Sequence, residues 1–195
     1  ANQNYAKKVL NPTGASYLEN IIDVYGESIG GKALDTSGNV YTWGYNASGR
    51  LGNGNTTEQH LPVISLFSSA IKLAAGNAFN SILKSNGTIE SVGYNSDGRL
   101  GIGNATDQMV PCCATISNVV DIIGSGAGIT AIDINGKVYY TGAGGFGVGG
   151  NGTTTQKNSF TEATLPSSVT SIDYGMFQGC ISLRSEEHTS ELQSL

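Results

Sequence analysis

Three stretches of this 195-residue chain carry spacings associated with catalysis or ion binding. Gly26-x-x-x-x-Gly31-Lys32 has the outline of a phosphate loop, whose amides cradle phosphates while a Ser or Thr hydroxyl reaches magnesium. Ala33 stands where that hydroxyl is needed, and no helix pattern follows. Gly142-x-Gly144-x-x-Gly147 has dinucleotide-fingerprint spacing, yet no helix opens after it to aim amides at a pyrophosphate. Asp133-x-Asn135-Gly136 begins like a calcium loop that no acidic residue completes. Asp23 and Asp121 could share acid–base work, but they read as outward positions on a half-exposed strand. His60 lies in a polar loop beside Gln59, and no Cys or Ser has a recognisable base partner. The reading therefore assigns no catalytic residue, no metal ligand and no cofactor, and the chain is expected not to be an enzyme.

Cysteine usage points the same way. Cys112 and Cys113 are adjacent and pair poorly with each other, and with Cys180 they form neither a disulfide framework nor a zinc set. Buried free thiols are the expectation, with a bridge from either to Cys180 as the alternative. Asn-x-Ser/Thr acceptor sequences occur at Asn46, Asn55, Asn86, Asn104 and Asn151, mostly in Gly-rich loops where these residue types are ordinary turn formers.

Composition narrows the class further. The chain has 28 glycines and only four prolines, without a Gly-X-Y period, which excludes collagen. Charged residues make up 13% and hydrophobic ones 38%, the opposite of a disordered balance. A net charge of −5 with ten basic residues argues against nucleic-acid and anionic-membrane partners. No run of about 18 apolar residues is present to cross a bilayer as a helix. Residues 184–194 read RSEEHTSELQS, which resembles the translation of a common short-read sequencing adapter. Residues 184–195 are accordingly set aside as an artefact tail, leaving nine basic and twelve acidic residues.

The elements that must position any site follow from an internal repeat. A shift of 49 residues superposes Gly38/Gly87/Gly136, Gly44/Gly93/Gly142, Gly49/Gly98/Gly147, Gly52/Gly101/Gly150 and Gly54/Gly103/Gly152. One such triple column arises by chance with a probability of roughly 0.003, and five lie close together. Fifteen of the 28 glycines are periodic, so the glycine excess is architecture rather than looseness. Apolar positions obey the same shift: Ile22/Ile71/Val120, Val24/Leu73/Ile122, Leu34/Leu83/Ile132 and Val40/Ile89/Val138. Each unit reads as a first strand (21–26, 71–76, 119–124), a second (32–35, 81–84, 130–133), a polar-Gly turn and a third strand. The turns Ser37-Gly38, Asn86-Gly87 and Asn135-Gly136 predict two-residue type I′ hairpins. A Gly-rich loop then leads to a short fourth strand around Leu61-Pro62 and Val110-Pro111, where proline suits a sheet edge. Four short strands in about 50 residues, with no helical stripe, predict an all-β chain of β-propeller blades.

Two loops sharpen that class. Residues 43–54, Trp-Gly-Tyr-Asn-Ala-Ser-Gly-Arg-Leu-Gly-Asn-Gly, and residues 92–103, Val-Gly-Tyr-Asn-Ser-Asp-Gly-Arg-Leu-Gly-Ile-Gly, resemble the signature of the regulator of chromosome condensation repeat family. The resemblance covers residues from about 20 to 183, with the third loop (142–150) keeping glycines but losing Asn and Leu. Arg50 and Arg99 stand where the family usually has Gln, and Gly31, Asn80 and Ile129 where it has His. The resemblance implies a seven-bladed ring, of which repeats at about 20–68, 69–117 and 118–167, with the start of a fourth at 168–183, make up an incomplete array over 1–183. Such an arc leaves blade faces open, so the implied partners include the missing blades of its own ring.

Function is then expected at the surface. Tyr45, Asn46, Arg50, Tyr94, Asn95 and Arg99 recur in loop positions and are the candidate interaction residues; Tyr and Arg are enriched in binding hot spots. The leading expectation is a non-enzymatic protein-interaction module. The resemblance also implies nucleotide exchange on a small GTPase as a rival, and the Asn/Ser/Thr/Gly-rich, low-lysine composition leans towards a secreted or cell-surface microbial binding or inhibitor protein.

Overall fold

The computed structural model describes residues 8–27 and 29–164. The start of a fourth repeat at 168–183, the tail at 184–195 and Cys180 lie outside them. Among the described residues, twelve strands form three sheets. The first contains β1 (Ile21–Glu27), β2 (Gly30–Asp35), β3 (Val40–Gly44) and β4 (Gln59–Ile64). The second contains β5 (Ala70–Gly76), β6 (Phe79–Lys84), β7 (Ile89–Gly93) and β8 (Gln108–Cys113). The third contains β9 (Val119–Ser125), β10 (Gly128–Asp133), β11 (Val138–Gly142) and β12 (Lys157–Glu162). Every sheet is an antiparallel meander in chain order.

Side-chain alternation along the strands explains the stacking. Along β6, Asn80 and Ile82 point to the first sheet, whereas Phe79 and Leu83 point to the third, so the strand is buried on both faces and shows no polar alternation. Leu34, Val40, Phe67, Ala70, Ile82 and Val92 make the core between sheets one and two. Phe79, Leu83, Ile89, Leu100, Ile122 and Ile129 make the core between sheets two and three. The first strands lie together, with β5 against both β1 and β9. Sheets that stack face to face with their first strands gathered are blades of a partial β-propeller. Pro62 and Pro111 fall on β4 and β8, the outer edges, where a missing amide leaves no ladder bond unmade.

The hairpin turns differ from the expected type I′. Gly38, Gly87 and Gly136 have φ of 82°, 77° and 76°, but the residues before them do not have positive φ. Gly38 N–H donates to Asp35 O (3.0 Å) and Asp35 N–H to Asn39 O (3.0 Å), giving a three-residue loop of a type I turn closed by a left-handed glycine. The Asp35 carboxylate braces this loop by accepting the amides of Ser37 and Asn39 at 2.9 Å, and Asp133 repeats it with Asn135 and Lys137. Burial works to raise both carboxyls, and these hydrogen bonds outweigh it, holding them below the ordinary Asp value. In the second sheet Lys84 replaces the Asp, and Asn86 Oδ1 accepts Thr88 N–H (3.1 Å) instead.

Candidate functional site

The stretches with catalytic spacing are absorbed by the sheets. Gly26 and Gly31 pair across the β1–β2 hairpin, and Gly142–Gly147 contains only a single 3-10 turn, Gly145–Gly147. Asp133 is the turn acceptor just described. Asp23 and Asp121 are separated by Lys72, which occupies the same column one repeat apart: Lys72 pairs with Asp121, and Asp23 Oδ2 accepts Leu73 N–H (3.3 Å). His60 is exposed, with Nδ1 3.5 Å from Glu58 Oε1. Cys112 is half-buried and Cys113 exposed, both free, so the expectation of buried thiols fails; neighbours on an edge strand point to opposite faces, and one of them meets solvent.

The six recurring loop residues separate into two groups. Asn46 and Asn95 are buried. Asn95 Nδ2 donates to Asn104 O (2.9 Å) and Thr106 O (3.1 Å), while its Oδ1 accepts Leu100 N–H (3.0 Å). Asn46 makes the same set with Asn55 O (2.9 Å), Thr57 O (3.1 Å) and Leu51 N–H (3.0 Å). One amide thus pins both ends of a Gly-rich loop, and its Nδ2 is unavailable as a glycan acceptor at Asn46. Arg99 reaches out of its own loop: Nη1 donates to Asn77 O (2.7 Å) and Gly126 O (3.4 Å), the hairpins of sheets two and three, and Nη2 pairs with Asp97. Arg50 is equally buried beside Glu27 (3.8 Å), and burial pulls its guanidinium below the ordinary value while Glu27 and Tyr45 oppose the shift. Lys32, buried beneath it and paired with Glu27, is lowered by burial in the same way.

The tyrosines cover these cations. Arg50 Cζ lies 5.2 Å from the Tyr45 ring centre and Arg99 Cζ 4.7 Å from that of Tyr94. Tyr94 is half-buried, whereas Tyr45 is 46% exposed. Of the six candidates, four are therefore buried, with little area to offer a partner, and Tyr45 is the one presented. It borders an open cavity of about 370 Å³ lined by Ile29, Gly44, Tyr45 and Glu58, of which the sequence marks Gly44 as a repeat glycine and only Tyr45 as a candidate contact. Ile29 lies just before β2 and Glu58 just before β4, so the fold joins what a linear motif separates.

The third loop shows what the fasteners do by dispensing with them. Gly144 takes the column of Asn46 and Asn95, and the Thr155 carbonyl descends onto it, into the place a side chain would fill. Gly149 takes the column of Leu51 and Leu100, and the buried Tyr140 ring fills that volume, its Cδ1 3.2 Å from where a Gly149 Cβ would stand. Val148 replaces the arginine and is exposed.

Comparison with known proteins agrees with this architecture. Residues 37–83 match the family model described as the Regulator of chromosome condensation (RCC1) repeat. No curated protein sequence matches the chain. Among solved structures it is similar to human WBSCR16, with 21% identity and a TM-score of 0.63 over 73% of this chain and 37% of that one. It is similar to Prp20p from Saccharomyces cerevisiae, a structure described together with its binding properties to Gsp1p and histones, with 17% identity and a TM-score of 0.68 over 80% and 40%. A yeast RCC1 (Prp20) structure with Kap60 bound to it gives 17% and 0.65 over 80% and 39%. The chain spans about two fifths of the length of these structures, and at such identity the likeness shows the fold: a partial RCC1-type propeller.

Proposed function

We propose that this chain is part of a non-enzymatic binding scaffold, an array of RCC1-type repeats that holds a protein partner against the loop side of its first sheet. One observation carries the reading. Within a single loop, Asn46 turns inward and locks the backbone and Arg50 is buried beside Glu27, while Tyr45, the neighbour of Asn46, turns outward beside a concavity. A rigid loop presenting an aromatic side chain suits binding, because little rotamer freedom remains to be lost on association. That Prp20p is described with protein partners supports the same class.

Photo-cross-linking tests it. Benzoylphenylalanine at Tyr45 of the full chain should capture a discrete protein from the source cells that the same group at Ser96, exposed in the second loop, does not capture. The reading fails if the two positions capture the same set. A small GTPase as the discrete product would move the role towards nucleotide exchange.

A further inference from the structure

The cavity beside Tyr45 keeps the backbone of the repeat and departs from it in side chains. Tyr45 N–H donates to Ile29 O (2.9 Å), and the same bond recurs from Tyr94 N–H to Ala78 O (2.9 Å) and from Ala143 N–H to Ala127 O (3.0 Å). Alanine thus satisfies this position in the second and third sheets. The first sheet carries Ile29 there, 47% exposed and a member of neither inter-sheet core. With the exposed Tyr45 ring it gives the cavity an apolar wall that the packing of the sheets does not require.

The acid of the cavity departs in the same way. Glu58 takes the column of Asp107, whose Oδ1 turns back to accept Asn95 N–H (2.7 Å) and braces the second loop. Glu58 makes no such bond to its own loop. Among the described residues no Lys or Arg nitrogen lies within 4 Å of its carboxylate, and the exposed His60 Nδ1 stands 3.5 Å from Oε1. The column is open by its place on the loop: Asp107 is exposed too, in the sheet that has another sheet packed on either side. Behind the Tyr45 ring, Arg50 and Lys32 are buried and both face Glu27, so the charge presented at the cavity is that of Glu58.

We infer that this cavity takes a Lys or Arg side chain of the protein partner, which rests on Tyr45 being a contact residue. A long cationic side chain is amphipathic in the same order as the cavity. Its methylene stem lies along Ile29 and the Tyr45 ring, and its charged head reaches the Glu58 carboxylate. An acidic side chain would meet Glu58 with like charge, and a wholly apolar one would cover that carboxylate without pairing it. The net charge of −5 favours the encounter with a basic segment in the same sense. Selection then rests on Ile29 and Glu58, which replace Ala78 and Asp107 of the second repeat and Ala127 and Gln156 of the third.

Random peptides displayed on phage and panned on the full chain read this chemistry directly. Peptides whose binding is lost on Tyr45→Ala are expected to share a Lys or Arg beside an apolar residue. Synthetic copies of them should bind Glu58→Gln about fivefold more weakly, the upper end for a partly exposed ion pair. Glu19→Gln, at an exposed acid outside the cavity, should leave their binding unchanged. Raising salt from about 0.05 M to about 0.5 M should weaken binding to the parent and hardly affect Glu58→Gln. Panning on Glu58→Lys should return peptides with Asp or Glu in place of the basic residue. Tyr45-dependent peptides that lack a basic residue, or that bind Glu58→Gln as well as the parent, overturn this inference and leave Tyr45 a contact residue. If no peptide depends on Tyr45, the inference and the binding role of Tyr45 fall together.

Discussion

Asn95→Asp is expected to lower the unfolding free energy by about 3–5 kcal/mol, as removal of one partner from a buried polar network does. The side chain is fully buried, and the atom replaced is a donor facing two carbonyls, Asn104 O at 2.9 Å and Thr106 O at 3.1 Å. An ionised carboxylate there sets negative charge against two acceptors out of reach of water. The variant can relieve this only by binding a proton, so its folded-state pKa must rise above the unfolded value. A group shifted upward supports the fold below its unfolded pKa and loses that support as pH rises, so the deficit should be largest near about pH 7 and shrink towards about pH 4. Urea unfolding of variant and parent across that range checks both the size and the sign. A deficit that is small, or that grows in acid, contradicts the assigned geometry.

Leu100→Ala should cost about 3 kcal/mol, measured as the same difference in urea unfolding. The side chain is fully buried among Phe79, Ile89 and Ile129, and strands held by backbone ladders on both sides cannot collapse onto the space it leaves. The third repeat lacks this leucine and brings in the Tyr140 ring at the same place, where Thr42 and Ser91 stand in the other two. In the second sheet that strand position holds Ser91, whose Oγ lies 2.8 Å from Ser81 Oγ, so nothing large is positioned to compensate. A loss under about 1 kcal/mol would mean that the joint between sheets two and three is looser than its packing indicates.

The strands were readable because backbone chemistry writes directly into spacing. Glycines that must adopt positive φ recur every 49 residues, and β-branched runs between them have room only for short strands. The turn type was not legible for a local reason: polar-Gly alone predicts a two-residue loop, but all three hairpins close one residue further out, between Asp35 and Asn39, Lys84 and Thr88, and Asp133 and Lys137, with only the glycine at positive φ. The direction of the loop side chains was not readable from recurrence, since a fastener and a contact residue recur equally well. Asn46 and Asn95 look like polar loop residues until their carbonyl partners, nine and eleven positions later, are placed beside them. The third repeat held the usable signal. Asn, Arg and Leu are lost there together while Tyr140 replaces a Ser or Thr, as expected of residues forming one packed unit and not of independent contact positions.

Two adjacent residues carry the central claim that the first loop is locked from within so that Tyr45 can be presented without. The measurement is the urea unfolding free energy of Tyr45→Ala and Asn46→Ala, side by side. Asn46→Ala strands two carbonyls and one amide and should lose about 3 kcal/mol. Tyr45→Ala removes an exposed ring stacked on Arg50 and should lose under about 1 kcal/mol. Equal losses, or a larger one at Tyr45, would contradict the account.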